Sequence, residues 1–215
     1  MYTTININEW KRKQWYESYM NNVPCSFSSV IQLDITYLYT FSKANNIKLY
    51  SSLVWSLTAA VNSIDEFRYS LMDDQLILFD NLQPSFTVLN SENETFMELW
   101  SEFQESILDF DSSMNEIIAE HNSSLEMSPQ SNKPINSFNI SMIPWVDFTS
   151  FSLHLPKGHG YLLPIFTFGK LSKNDDRVTI PLSIQVNHAV TDGYHLGKFI
   201  KNLETVIDSF AHKKL

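Results

Sequence analysis

The run Asn187-His188-Ala189-Val190-Thr191-Asp192-Gly193 holds the residue types that acid–base chemistry needs. A neutral imidazole accepts a proton near neutral pH, because histidine's ordinary pKa is about 6.5. A carboxylate four residues later is favoured at a helix N-terminus, where backbone N–H groups lack partners. Gly193 permits a backbone turn that a residue with a Cβ resists. The chemistry on offer is removal of a proton from an acceptor by His188. A histidine beside a glycine is also commonly structural, and position alone does not separate the two readings. A metal site built from His154, His159, His188 and His195 has no recognised ligand spacing behind it, so none is expected.

The elements around this run must position it. Val178, Ile180, Leu182, Ile184 and Val186 alternate without a fault and predict a strand, with a bulge or an edge position at Pro181. Leu196, Phe199, Ile200, Leu203, Val206, Ile207 and Phe210 recur at steps of three and four, which predicts an amphipathic helix from about Gly193. His188 therefore falls at a strand-to-helix junction, where rigid elements hold loops that carry chemistry. Upstream, the patterning predicts a short helix over Trp10–Tyr19, a strand over Val30–Ile35 and a buried helix over Leu53–Ile64. A hairpin over Arg68–Asp80 turns at Asp73-Asp74, and Ser85–Leu89 is a further strand. Thr95–His121 has helical spacing, interrupted at Asp109–Ser113. Asn122–Asn136 reads as a loop. Strands follow at Phe138–Ile143, Phe151–Leu155 and Tyr161–Leu171, with a turn at Lys173–Asp176. These elements imply an α+β protein: a two-layer sandwich of a mostly β core with helices on one face, forming one domain over residues 1–215.

Bulk composition removes several function classes. The chain has 215 residues, 43% hydrophobic content and a net charge of −9, so it has enough apolar material for a sizeable core. Nucleic acid and anionic membranes call for a basic stripe. The nearest features, Lys11-Arg12-Lys13 and Lys213-Lys214, read as solvated charge. The single cysteine, Cys25, excludes an internal disulfide framework and a cysteine-rich zinc site. Met1–Trp10 lacks the basic start and apolar core of a secretory signal, and no apolar run is long enough to span a membrane, so the expected location is the cytoplasm.

Gln185-Val186-Asn187-His188-Ala189-Val190-Thr191-Asp192-Gly193-Tyr194-His195 closely resembles the signature of the chloramphenicol acetyltransferases, whose wider superfamily shares a His-x-x-x-Asp-Gly core. Ile140-Ser141-Met142-Ile143-Pro144-Trp145-Val146-Asp147-Phe148 resembles a second block. Asn8-Glu9-Trp10 with Arg12, then Tyr19, Pro24-Cys25-Ser26-Phe27 and Asp34-Ile35-Thr36, resemble the N-terminal block. Arg68, Pro84 with Phe86-Thr87-Val88, and Glu94-Thr95-Phe96 follow in order, so the likeness spans nearly the whole chain.

The resemblance implies the CoA-dependent acyltransferase fold with a mixed sheet, and a homotrimer with each active site at a subunit interface. It implies acetyl-CoA as co-substrate, no permanently bound cofactor, and chloramphenicol or a related small alcohol as acceptor. Carried over by position, His188 is the general base. Ser141 donates to the oxyanion of the tetrahedral intermediate, and Thr167 positions a water. Asp192 pairs with Arg12 to hold the loop rather than to form a relay, and the imidazole is oriented through its own backbone carbonyl. Tyr19, Val23, Cys25, Phe27, Phe96, Phe151, Leu153 and Ile165 line the acceptor site. Lys170 and Trp145 are the candidates for binding CoA. The pattern departs at Asn187, where a histidine is usual, and at Thr191, where a cysteine is common. Glu98 stands where a small residue is expected, and Met127-Ser128 where an aromatic is expected. These last two leave open an acyltransferase of the same fold acting on a different hydroxyl.

Overall fold

The alternating run before His188 becomes the strand on which the fold is built. The computed structural model describes residues 1–90, 92–155 and 160–211. Its strands in chain order are β1 (Tyr2–Thr4), β2 (Ser26–Asp34), β3 (Tyr69–Met72), β4 (Gln75–Phe79), β5 (Gln83–Asn90), β6 (Thr95–Trp100), β7 (Ser137–Met142), β8 (Ile165–Phe168), β9 (Ser172–Asn174) and β10 (Arg177–Asn187). The helices are α1 (Lys13–Glu17), α2 (Thr36–Ala44), α3 (Leu49–Asn62), α4 (Ile107–His121) and α5 (Gly193–Asp208). A seven-stranded sheet runs β2-β10-β8-β7-β5-β6, with β9 also paired to β10, and a small sheet runs β1-β4-β3. The β5–β7 and β7–β8 pairs are parallel and the others antiparallel, so the large sheet is mixed as expected.

Side chains alternate between the faces of a strand, and here the two faces differ in chemistry. Phe86, Met97, Leu99, Phe138, Ile140, Phe166, Ile180, Leu182 and Ile184 join one buried core with Leu38, Leu57, Phe110, Phe199 and Leu203 of the helices. The helices thus cover one face. Phe166 packs against Phe199 of α5 with ring centroids 5.4 Å apart, and against Phe138 at 5.8 Å. A buried phenylalanine of this kind contributes roughly 1.5–3 kcal/mol, and this cluster fixes α5, and so the His188 junction, to the sheet. The opposite face carries Ser85, Thr87, Glu98, Asn139, Ser141, Thr167, Ser183 and Gln185.

Three expectations are corrected. Thr95–Trp100 is strand β6 rather than helix, and α4 begins only at Ile107. Met97 and Leu99 are buried at 2% and 1% while Phe96 is 51% exposed, an alternation that satisfies a strand inside spacing that also fits a helix. Asp109–Ser113 does not interrupt α4: Ser106 caps the helix by accepting from Asp109 N–H, and Asp109 lies in its first turn, where the dipole favours it. Phe151–Leu155 forms no strand. Side chains of β10 replace ladder partners there: Ser183 Oγ donates to Phe151 O at 2.8 Å, Leu153 N–H donates to Gln185 Oε1 at 2.8 Å, and Gln185 Nε2 donates to Leu153 O at 3.0 Å. The bulge expected at Pro181 is present: on one side Pro181 pairs with Gln32 on β2, and on the other the register slips by one residue between β8 and β9. Its missing donor is tolerated because the other neighbour departs from the ladder between β8 and β9, leaving Gly169 N–H to donate to Pro181 O at 2.9 Å. The hairpin is as expected, with Asp73 and Asp74 at φ 50° and 61°, the left-handed conformation that such tight turns require.

Candidate active site

β10 ends at Asn187 and α5 starts at Gly193, so His188 sits in the turn between them. The turn is held from several sides. His188 N–H donates to Cys25 O at 3.0 Å, and the Asn187 side chain accepts from Ala189 N–H at 2.9 Å. Asp192 caps α5, its Oδ1 accepting from Tyr194 N–H at 3.0 Å and from His195 N–H at 3.4 Å. Arg12 Nη1 donates to the other oxygen of Asp192 at 2.8 Å. Burial pushes the Asp192 carboxyl up, but the Arg12 hydrogen bond and the charges of His195 and Arg12 outweigh it and hold the group below its usual range. Arg12 is 9% exposed, and among the described residues its Nε and Nη2 have no hydrogen-bond partner and Asp192 is its ion-pair partner.

The imidazole of His188 is gripped by aromatic rings. Tyr19 stacks on it at 4.0 Å between centroids and 8° between planes, and Phe27 meets it edge-on at 5.1 Å. Tyr19 is delivered by a turn of π-helix, Ser18–Asn22, after α1; such turns recur at functional sites. The expected bond from the ring to its own carbonyl is absent: Nδ1 is buried and has no hydrogen-bond partner among the described residues. Stacking, not a hydrogen bond, sets the ring's orientation here.

Ser141 and Thr167 are cross-strand neighbours on β7 and β8, and Thr167 is opposite Ser183 on β10. Ser141 Oγ lies 3.1 Å from Thr87 Oγ1. His188 is five residues beyond Ser183 and two strands away from Ser141. At about 3.4 Å per residue and about 4.8 Å per strand, His188 and the Ser141 hydroxyl are on the order of 15–20 Å apart in one chain. The acceptor candidates bridge this gap in part. A cavity of about 190 Å³ is lined by Cys25, Leu155, Ile165 and Gln185, and another of about 560 Å³ by Phe27, Phe151 and Leu153. Phe96 stands on the far edge, and Val23 is 60% exposed. Trp145 and Lys170 are brought close by the bond from Lys170 N–H to Val146 O at 2.9 Å. Gly169 makes that approach possible, since a Cβ there would lie 2.6 Å from Pro181 Cγ and 2.8 Å from Phe148 Cε1. Trp145 is 64% exposed and Lys170 also faces solvent.

Sequence reasoning missed three neighbours. His195 Nδ1 accepts from Asp192 N–H at 3.2 Å, taking the place that Glu or Gln holds in a capping box. The Asp-x-x-His spacing was the signal. Its Nε2 reaches Glu66 Oε1 at 3.4 Å, and Lys133 Nζ donates to Glu98 Oε1 at 2.5 Å; neither contact has a local signal. These roles draw His195 away from any metal set, and His159 lies outside the described residues, as do Lys213 and Lys214. Among the described residues no group of three or more His, Cys, Asp or Glu could hold a metal, and no helix is long and apolar enough to cross a membrane.

Known proteins share this organisation. A solved structure described as chloramphenicol acetyltransferase superposes with a TM-score of 0.84 at 21% identity, covering 96% of this chain and 100% of that one, which speaks to the fold. A chloramphenicol acetyltransferase of Clostridium butyricum is 40% identical over 210 residues, covering 97% of this chain and 96% of that protein. One of Campylobacter coli is 40% identical over 208 residues, covering 96% and 99%. With the family model for chloramphenicol acetyltransferase matching residues 1–204, the chain belongs to the chloramphenicol acetyltransferase family.

Proposed function

We propose that this chain is a single catalytic domain that transfers the acetyl group of acetyl-CoA to a hydroxyl of chloramphenicol, inactivating the antibiotic. One observation carries the reading: the chain matches the family along nearly its full length while keeping a histidine at the strand-to-helix turn, clamped between aromatic rings. His188 Nε2 takes the acceptor's hydroxyl proton as the oxygen attacks the thioester carbonyl. The Ser141 hydroxyl donates to the resulting oxyanion, where a preorganised donor is worth about 3–4 kcal/mol. Collapse breaks the C–S bond, and the leaving thiolate recovers the proton from His188, so no acyl-enzyme forms. Thr167 positions a water beside the intermediate. Tyr19, Val23, Cys25, Phe27, Phe96, Phe151, Leu153 and Ile165 wall the acceptor site, and Trp145 and Lys170 receive CoA, the lysine meeting phosphate.

Base and oxyanion donor are too far apart to act within one chain, so the working site joins His188 of one copy to Ser141 of another. A contact between two different surfaces of the same chain builds a ring when its rotation closes, and the family resemblance supports a ring of three. The single half-buried Cys25 suits a reducing compartment, and the proposed location is the cytoplasm. A second reading keeps the chemistry and changes the acceptor, because Glu98 puts a carboxylate on the face that carries Ser141.

The test is release of free thiol from acetyl-CoA with chloramphenicol, using wild type, His188→Ala, Ser141→Ala, and the two variants co-expressed. We expect both single variants to lose activity and the mixed assembly to regain part of it, since some sites then pair an intact His188 with an intact Ser141. Near wild-type activity of His188→Ala would remove the base, and no recovery in the mixture would remove the shared site.

A further inference from the structure

The sheet face that carries Ser141 also carries a charged group with no place in the reaction above. Glu98 on β6 is opposite Thr87 on β5, and Thr87 Oγ1 lies 3.1 Å from Ser141 Oγ. Glu98 is thus two strands from Ser141 in the same row, about 10 Å away at the usual strand spacing. Its carboxylate is not an ordinary surface group. Its side chain is 24% exposed and pairs with Lys133, itself 35% exposed. Oε1 accepts from Lys133 Nζ at 2.5 Å and from Ser85 Oγ at 2.8 Å, while among the described residues Oε2 has only Ser128 Oγ at 3.5 Å. One oxygen is therefore saturated and the other nearly free to accept.

The loop carrying Ser128 and Lys133 is tied to the same strand. Glu98 N–H donates to Met127 O at 2.7 Å, and Trp100 N–H donates to Gln130 Oε1 at 2.8 Å. The two departures from the family pattern, at Glu98 and at Ser128, are thus one feature. Burial pushes the Glu98 carboxyl up, but Lys133 and Ser85 outweigh it and keep it below its usual range, so it is ionised at neutral pH. Its charge is felt at Tyr161, whose phenol is pushed up to about 12 by burial first and then by Glu98. The Tyr161 hydroxyl accepts from Asn139 Nδ2 at 3.1 Å, on the strand that carries Ser141.

We propose that Glu98 sets acceptor specificity: its free oxygen, flanked by Ser128, takes a hydrogen-bond donor, an amine or a hydroxyl, at the far end of an acceptor whose reacting hydroxyl sits at Ser141. An acceptor spanning two strands reaches from one group to the other. A nitro group offers the carboxylate only oxygens of partial negative charge and no donor, whereas an amine in its place donates to it. This inference rests on the acetyl-transfer reading and deepens it.

The experiment compares chloramphenicol with its analogue in which the nitro group is an amine, reading kcat/KM from thiol release. Wild type, Glu98→Ala and Glu98→Gln are assayed; Glu98→Gln keeps the side-chain volume and a partner for Ser85. A hydrogen bond to a charged group corresponds to roughly a 10- to 100-fold effect. The amine-to-nitro ratio is expected to fall about 10-fold or more in Glu98→Ala, and in the same direction in Glu98→Gln. Turnover with an unchanged ratio in both variants would overturn the specificity role and leave the acetyl-transfer reading intact. A fall in the ratio matched by an equal rise in the KM for acetyl-CoA would also overturn it, marking general loosening. No turnover by wild type on either acceptor would overturn the acetyl-transfer reading, and the specificity role with it.

Discussion

Replacing Asp192 by Asn tests the ion pair that holds the turn carrying His188. Asn caps a helix about as well as Asp, so the bonds from Tyr194 and His195 N–H survive, while the charge and the acceptor opposite Arg12 are lost together. Removing one partner of a buried pair costs about 3–5 kcal/mol, because the other charge stays buried. Here the Arg12 side chain is 11% exposed but Asp192 is 34% exposed, so water relieves part of the cost and about 2 kcal/mol is expected. In a domain of this size that corresponds to roughly 4–8 °C in Tm. Asp192→Ala, which also loses the cap, should cost about 1 kcal/mol more. Because the same turn carries His188, and displacements near 1 Å can cost about 10²-fold, kcat should fall about 10- to 100-fold in Asp192→Asn. The acid limb gives a second readout. The Asp192 carboxyl is held below its unfolded value of about 3.9. Its contribution is therefore present above that value and is lost as pH falls through the lower folded one. Asp192→Asn should flatten urea-unfolding stability against pH in that window. A rate defect with unchanged Tm and an unchanged acid limb would refute the bracing role and point to direct action on His188. Lost stability with wild-type kcat would show that the pair does not position the base.

Ser141→Ala should lower kcat by about 10²-fold or more with little change in acceptor KM; an unchanged rate removes Ser141 from the site. Tyr19→Phe keeps the ring stacked on His188 and should stay within a few-fold of wild type, whereas Tyr19→Ala should lose at least about 10-fold in kcat/KM. Equal effects of the two would deny that stacking orients the base. Burial lowers the pKa of His195, with Arg12 and Lys198 adding to it against Glu66 and Asp192. Its folded value thus lies below the unfolded value of about 6.5. Stability is full above about pH 6.5 and declines as pH falls towards the folded value. His195→Gln preserves an acceptor for Asp192 N–H and should remove that decline; the same pH dependence in both proteins would exclude His195 as its source.

What the sequence made legible follows from which contacts are local. The turn from β10 into α5 was readable because a period of two, a cap and a period near 3.6 follow one another without overlap. β6 was not, because Phe96, Leu99, Trp100 and Phe103 satisfy helical spacing while Met97 and Leu99 alternate with Phe96 and Glu98. Only the ladder to β5 decides between them. The segment at Phe151–Leu155 alternates correctly, yet its partners are the side chains of Ser183 and Gln185 rather than a backbone edge, and no periodicity reports that.

The site divides in the same way. Arg12 and Asp192 are 180 positions apart, and only a resemblance could pair them. The same resemblance gave the ring of His188 an acceptor in its own carbonyl, where the structure shows Tyr19 and Phe27 instead. Glu98 and Ser128 looked like two separate departures in a pocket. Lys133 and Ser85 bind them into one polar cluster. An isolated buried carboxylate would shift its pKa upwards and become neutral. With Lys133 beside it, Glu98 keeps its charge in a half-buried site. That retained charge makes Glu98 a determinant of which acceptor binds, not merely a misfit in a pocket built for an aromatic ring.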